Sequence, residues 1–242
     1  MLIGLQLWSV GEEMSNDFFK TLTKVAKMGY DGVEFAGYHG HDAKTIKEKL
    51  DQLGLKVAAS HISIERLRED LDAVIAFEKT LGNQYIVCPY ATYETADQWL
   101  AFAKELAEIN QKITAAGLTF AYHNHAHELV PLADKYVLDV LFDHVSGTEI
   151  DVYWLAAANL DPVTYLAQYK DKTPLVHIKD MDANSQESTI IGTGTLDIKN
   201  IVKQAKTNGA KWLIIEQESF TKPPLASVEA GLVNLKEVLN KC

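Results

Sequence analysis

At 242 residues the chain is long enough for one large core and short for two full domains. Nearly half of its residues are hydrophobic and its charged fraction is ordinary, so a disordered or low-complexity chain is excluded. A formal net charge of −10 argues against nonspecific binding to nucleic acid or anionic lipid, because both need a positive field.

No apolar run approaches the length needed to span a bilayer. The start, MLIGLQLWSVGEE, lacks the basic opening and small-residue cleavage site of a signal peptide. Two cysteines, Cys88 in an apolar run and Cys242 at the end, make no disulfide framework. The expectation is a cytoplasmic protein with reduced thiols.

Short apolar runs alternate along the chain with longer amphipathic stretches. Leu2–Trp8 reads as a strand and Phe18–Met28 as a helix. A strand at Gly32–Phe35 and a helix at Ala43–Leu53 follow, then a strand at Lys56–His61 and a helix at Glu65–Leu81. Next come a strand at Gln84–Cys88, a helix at Thr95–Ala116, a strand at Leu118–His125 and a helix at Lys135–His144. Glu149–Tyr153 reads as a strand, Pro162–Lys170 as a short helix and Pro174–Lys179 as a strand. A helix at Asp197–Asn208, a strand at Lys211–Glu216 and a helix at Ala226–Leu239 close the chain. The junctions AKMGYDGVEF, DQLGLKVAAS, KTLGNQYIVC, TAAGLTFAYH and KTNGAKWLII each join a helix end, a glycine and an apolar strand. Strict alternation implies a parallel sheet, and eight units imply closure into a single (β/α)8 TIM barrel over residues 1–242. A doubly wound open sheet would more often show five or six units and a glycine-rich turn after its first strand, and neither is present.

Barrel chemistry stands at the C-terminal ends of strands. Seven of the eight histidines lie in such segments, the exception being His144. Strand alternation puts Asp151 on the face opposite its apolar neighbours, and pairs His123 with His125, His177 with Lys179 and Glu216 with Glu218. Asp, His and Glu converging at a narrow mouth suit a divalent cation, with the oxygen majority favouring Mn²⁺ or Mg²⁺ over Zn²⁺ or Co²⁺. Each residue alone has a simpler reading, as a helix cap or a structural histidine. Asp151, His177 and Glu216 together on three successive strands do not.

The segments IGLQLWSV, GYDGVEFAG, LTFAYHNHAHEL, TEIDVYW, PLVHIKD, IGTGTLD and LIIEQE resemble the sugar phosphate isomerase/epimerase family, the xylose isomerase-like barrels. That superfamily also includes inosose dehydratases and endonuclease IV repair enzymes. The resemblance covers essentially the whole chain and implies a metal held by residues from strands five to eight. Asp151, His177 and Glu216 match that pattern, whereas strand five departs, with His123 where many members carry Glu. The fourth ligand is His123 or Glu128, with a lean to Glu128 as ligand or substrate contact.

The implied chemistry is proton abstraction α to a carbonyl, with a divalent ion as Lewis acid stabilising an enediolate. Glu216 is the expected base, and His125 and Lys179 the expected proton donors. Gln6, Trp8, Glu34, Tyr38, His61 and Trp154 are expected substrate contacts. The expected function is isomerisation or epimerisation of a sugar or polyol; dehydration of a keto-sugar or keto-inositol is the rival. A DNA phosphodiesterase is disfavoured by the acidic charge, and a non-catalytic sugar-binding barrel stays as the other class. The loop IGTGTLD either binds phosphate through backbone N–H groups or ends in a helix cap at Asp197; the cap is favoured because the loop contains no Lys or Arg. A homo-oligomer is compatible with all of this.

Overall fold

The structure, a computed structural model, describes residues 1–241. Eight parallel strands close into a barrel: β1 (Leu2–Gln6), β2 (Gly32–Phe35), β3 (Lys56–His61), β4 (Tyr85–Cys88), β5 (Thr119–His123), β6 (Gly147–Asp151), β7 (Leu175–Ile178) and β8 (Trp212–Ile215). Each pairs with its neighbours in the chain, and β1 closes the ring on β8 with Leu2 opposite Trp212 and Leu5 opposite Ile215.

Caps delimit the outer helices. Asp17, Asp42 and Asp70 each accept a backbone N–H three residues ahead, at the starts of helices Phe18–Met28, Ala43–Leu53 and Leu71–Leu81. Those three helices end on Gly29, Gly54 and Gly82, all with positive φ. Thr95 and Gln98 form a reciprocal capping box on helix Ala96–Ala115. The expected helix over 65–81 is two helices, Ile64–Glu69 and Leu71–Leu81, because Asp70 takes an extended φ of −158° and caps the second. The expected helix over 135–144 begins at Val137, because Lys135–Tyr136 pairs with Pro131–Leu132 in a small hairpin. β6 stops at Asp151, where helix Val152–Ala157 begins.

The main core fills the space between barrel and helices, with Leu5, Val33, Phe35, Phe102, Phe120 and Tyr122 at or near zero exposure. A second cluster, including Ala59, Val87, Ala121, Leu175, Trp212 and Ile214, floors the barrel interior. Gly32 makes room for it: a Cβ there would lie 2.5 Å from the Lys56 carbonyl oxygen and 2.7 Å from the Trp212 ring. Gly32→Ala is therefore expected to destabilise the fold by about 1–3 kcal/mol through overpacking, read as a lower urea midpoint at unchanged slope. An unshifted midpoint would mean that the floor is loosely packed.

Cys88 is buried and unpaired, and burial pushes its thiol up to about 12, so it is a core residue rather than a nucleophile. Cys242 lies outside the described residues. Among the described residues no helix is long and apolar enough to cross a membrane.

Candidate metal centre

The register sets the site. His123 lies opposite Glu149, and Asp151 opposite His177. Because alternate residues share a face, Glu149 and Asp151 both point inward from β6. Ligand atoms of His123, Asp151, His177 and Glu216 all lie within 4.8 Å of one another, and all four residues are buried. Glu128 belongs elsewhere. It groups with His125 and His127, accepts hydrogen bonds from the Tyr122 hydroxyl (2.9 Å) and the His125 backbone N–H (2.8 Å), and is absent from the four-residue set.

Asp151 does two jobs. Its Oδ1 caps the following helix by accepting Tyr153 N–H at 2.8 Å and Trp154 N–H at 3.2 Å. Its Oδ2 is buried and accepts no hydrogen bond, the nearest cation being Lys179 Nζ at 3.4 Å. An orphaned carboxylate oxygen beside two imidazoles and a second carboxylate fits a divalent cation. His123, Asp151, His177 and Glu216 would hold it.

Lys179 is fully buried, with Nζ 2.6 Å from Glu218 and 3.2 Å from Glu216, between the rings of Tyr153 and Trp154. Burial opposes its charge, but Asp151, Glu216 and Glu218 outweigh that and raise its pKa, so it is an ammonium. Burial likewise opposes the charge on Glu216, yet Lys179 and His177 hold its carboxyl well below the usual range. Burial raises Asp151 to about 6. His125, by contrast, is driven down to about 2 by burial and by His123, so it is a neutral hydrogen-bonding ring.

Beneath these groups lies a buried polar layer. Glu34 Oε2 accepts from His177 Nε2 at 2.6 Å and from Gln6 Nε2 at 2.8 Å. Glu149 Oε2 lies 2.6 Å from His61 Nε2 and 3.3 Å from both His123 Nδ1 and His177 Nε2. The His61 and His177 rings stack at 5.5 Å and 7°. Burial disfavours charge on both rings, but Glu34 and Glu149 raise them above the ordinary histidine value. With His61 charged, the carboxylates of Glu34, Glu149, Asp151, Glu216 and Glu218 outnumber the Lys179 ammonium and the His61 imidazolium. A divalent ion would offset most of that excess.

The remaining expected contacts divide. Trp8, His61, His125, Trp154 and Glu218 line a cavity of about 510 Å³ above the four ligands, and Glu216 opens into it. His125 Nδ1 and Trp154 Nε1 are buried there without protein partners. Gln6 and Glu34 are fully enclosed and do not line the cavity. Tyr38 faces away, its hydroxyl bonded to the buried Glu78, which also accepts from Ser60 and Asn83. Glu149 was not among the expected residues, although its place two positions before Asp151 puts it on the same face.

The glycine-rich loop is also resolved. Asp180 Oδ2 accepts the N–H groups of Gly192 and Gly194, both at 2.9 Å, and its Oδ1 accepts that of Leu196 at 3.1 Å. Those donors are consumed by a carboxylate, and Asp197 caps the next helix. The loop is thus an Asp180-anchored turn rather than a phosphate cradle.

Residues 22–238 match the family described as xylose isomerase-like TIM barrel. The chain belongs to that family. Among xylose isomerase-like proteins, an inosose dehydratase from Clostridium botulinum is 21% identical over 92% of this chain and 90% of its own length. A solved sugar phosphate isomerase/epimerase from Parabacteroides distasonis is 27% identical, with TM-score 0.82 over 99% of this chain and 98% of its own. The IOLI protein, solved with a bound zinc atom, shares the fold at 14% identity and TM-score 0.76, covering 100% of this chain and 99% of its own.

This xylose isomerase-like site also makes a pH prediction. Unfolded glutamate and histidine release protons near 4.5 and 6.5, whereas folded Glu34 holds its proton to about 7 and His61 and His177 hold theirs above 6.5. His123 and His125, pushed down to about 4 and about 2, act in the opposite sense, but only while unfolded histidine is still protonated. Above about pH 7 the folded metal-free chain therefore binds more protons than the unfolded one, and its stability is expected to fall as pH rises. Uptake of Mn²⁺ requires loss of the His177 Nδ1 proton, so metal should reverse that slope. Urea unfolding in EDTA and in Mn²⁺ at about pH 7 and about pH 8.5 tests both signs; parallel slopes would contradict the reading.

Proposed function

We propose that this chain is a metal-dependent sugar or polyol isomerase/epimerase that removes a proton α to a carbonyl. The observation that carries the reading is the opening of Glu216 and Glu218 into the cavity directly above the four-ligand set, with the Lys179 ammonium buried behind them in contact with both. A divalent ion held there would supply Lewis-acid polarisation of a carbonyl. Two imidazoles and two carboxylates suit Zn²⁺, Co²⁺ or Mn²⁺ better than Mg²⁺, which prefers an all-oxygen shell.

Glu216, kept ionised by Lys179 and His177, accepts the α proton and returns it. The Lys179 ammonium donates toward the oxygen where negative charge develops. His125 Nδ1 and Trp154 Nε1, both unpartnered, suit the hydroxyl groups of a polyol. The absence of a phosphate cradle in the 191–197 loop supports an unphosphorylated substrate.

The curated relatives named inosose dehydratase favour a second reading, in which the same first step is followed by loss of a β-hydroxyl. Incubation with ketoses and inososes in D₂O with Mn²⁺ separates the two. Deuterium incorporation α to the carbonyl without water loss is expected. Growth of an enone absorbance would replace the isomerase reading with the dehydratase one, and neither exchange nor conversion of any compound across the panel would sink both.

A further inference from the structure

We propose that Glu34 is a positioning residue that holds His177 with Nε2 protonated and Nδ1 free for the ion. The inference rests on the metal reading above and assigns a role to a residue that no substrate in the cavity can reach. Glu34 has zero exposure and comes from β2, across the barrel from β7. Its Oε2 receives His177 Nε2 at 2.6 Å, while His177 Nδ1 faces Glu216 Oε2 at 3.1 Å and Asp151 Oδ2 at 3.9 Å.

An imidazole has two nitrogens of similar basicity, and only the one without a proton can bind a cation. His177 Nδ1 faces the ligand set and Nε2 faces Glu34, so with an ion on Nδ1 the ring's remaining hydrogen sits on Nε2 and the Glu34 oxygen accepts it. Glu34 therefore settles which His177 nitrogen keeps its hydrogen, as the outer partners of metal-bound histidines do. The carboxylate is itself held. Gln6 Nε2 donates to the same Oε2, and Gln6 Oε1 accepts the Trp8 backbone N–H at 3.0 Å. A chain of hydrogen bonds thus runs from the cavity wall at Trp8 to the metal ligand.

The rival use of this layer is a second ion among His61, His123, Glu149 and His177, whose ligand atoms also lie within 4.8 Å of one another. The nitrogen of His177 that faces Glu149, Nε2, is 3.3 Å from it but 2.6 Å from Glu34. A second ion would have to break the shorter contact.

The test uses Zn²⁺, which is diamagnetic, with ¹⁵N-histidine-labelled protein and calorimetric titration. Wild type should show His177 protonated on Nε2 with a metal-shifted Nδ1. Glu34→Leu should weaken Zn²⁺ binding about 10–100-fold, and Glu34→Gln, whose amide oxygen can still accept, should recover part of that loss. If the leucine variant does not fold, the glutamine variant carries the test: its His177 Nε2–H resonance should move upfield and its affinity should fall. Zn²⁺ binding unchanged from wild type in the variant that folds, or Zn²⁺ on Nε2 of His177, would overturn the role of Glu34 alone. No Zn²⁺ uptake by wild type would overturn the metal reading and this inference with it.

Discussion

His177→Ala is expected to lose its divalent ion, from about one per chain in the wild type to none detectable after dialysis. The residue stands in two of the three candidate clusters, and its ring touches Glu34, Glu149 and Glu216 together. Removing an outer partner of a metal ligand weakens binding about 10–100-fold, so removing the ligand itself should exceed the upper end of that range. Deuterium exchange into substrate should vanish with the ion. Glu128→Gln is the matched control, because its oxygens face Tyr122 and His125 N–H in the neighbouring cluster. Elemental analysis of both proteins decides the matter. A metal-replete His177→Ala, or a metal-free Glu128→Gln, would place the ion elsewhere.

Lys179→Met carries the second large effect. The ammonium contacts Asp151, Glu216 and Glu218 together. Taking one partner out of a buried ion pair costs about 3–5 kcal/mol, because the remaining charges are left uncompensated. Added Mn²⁺ should restore part of that stability, since an ion bound only by the folded state raises its melting temperature. Turnover should not follow. Loss of a positioned proton donor costs about 10²–10⁴-fold in rate, and the ion does not replace the proton. A variant that recovers both stability and turnover with metal would show that Lys179 is only a structural counter-ion.

The barrel was legible because two local signals repeat: apolar runs of strand length, and a glycine that ends the preceding helix. The break at Asp70 was harder to see, since the flanking helices share one amphipathic pattern and only the cap interrupts it. In the site, alternation told which face a residue takes, as for Asp151 and His177. It did not tell depth. Glu34 and Gln6 face inward like Glu216 but, unlike it, do not line the cavity. Tyr38 lies in a loop, where alternation has no force, and it turns to Glu78. The choice between His123 and Glu128 depended on the path of the chain after β5, which carries Glu128 back onto Tyr122. Glu149 needed only the two-residue rule counted back from Asp151 along β6.

The Trp212 floor bears on where protons can go. Trp212, Leu175, Val87 and Ala59 pack largely apolar side chains across the barrel interior. The mouth, where Glu216 lines the cavity, is then the direct route between that carboxylate and bulk water. If Glu216 is the base proposed above, a hydrogen it takes while a substrate fills the cavity would be caged with the carbanion it came from. Such confinement favours return of the same atom over exchange with solvent, so the residence time of the reactant, rather than the basicity of the carboxylate, would govern how much isotope each turnover admits.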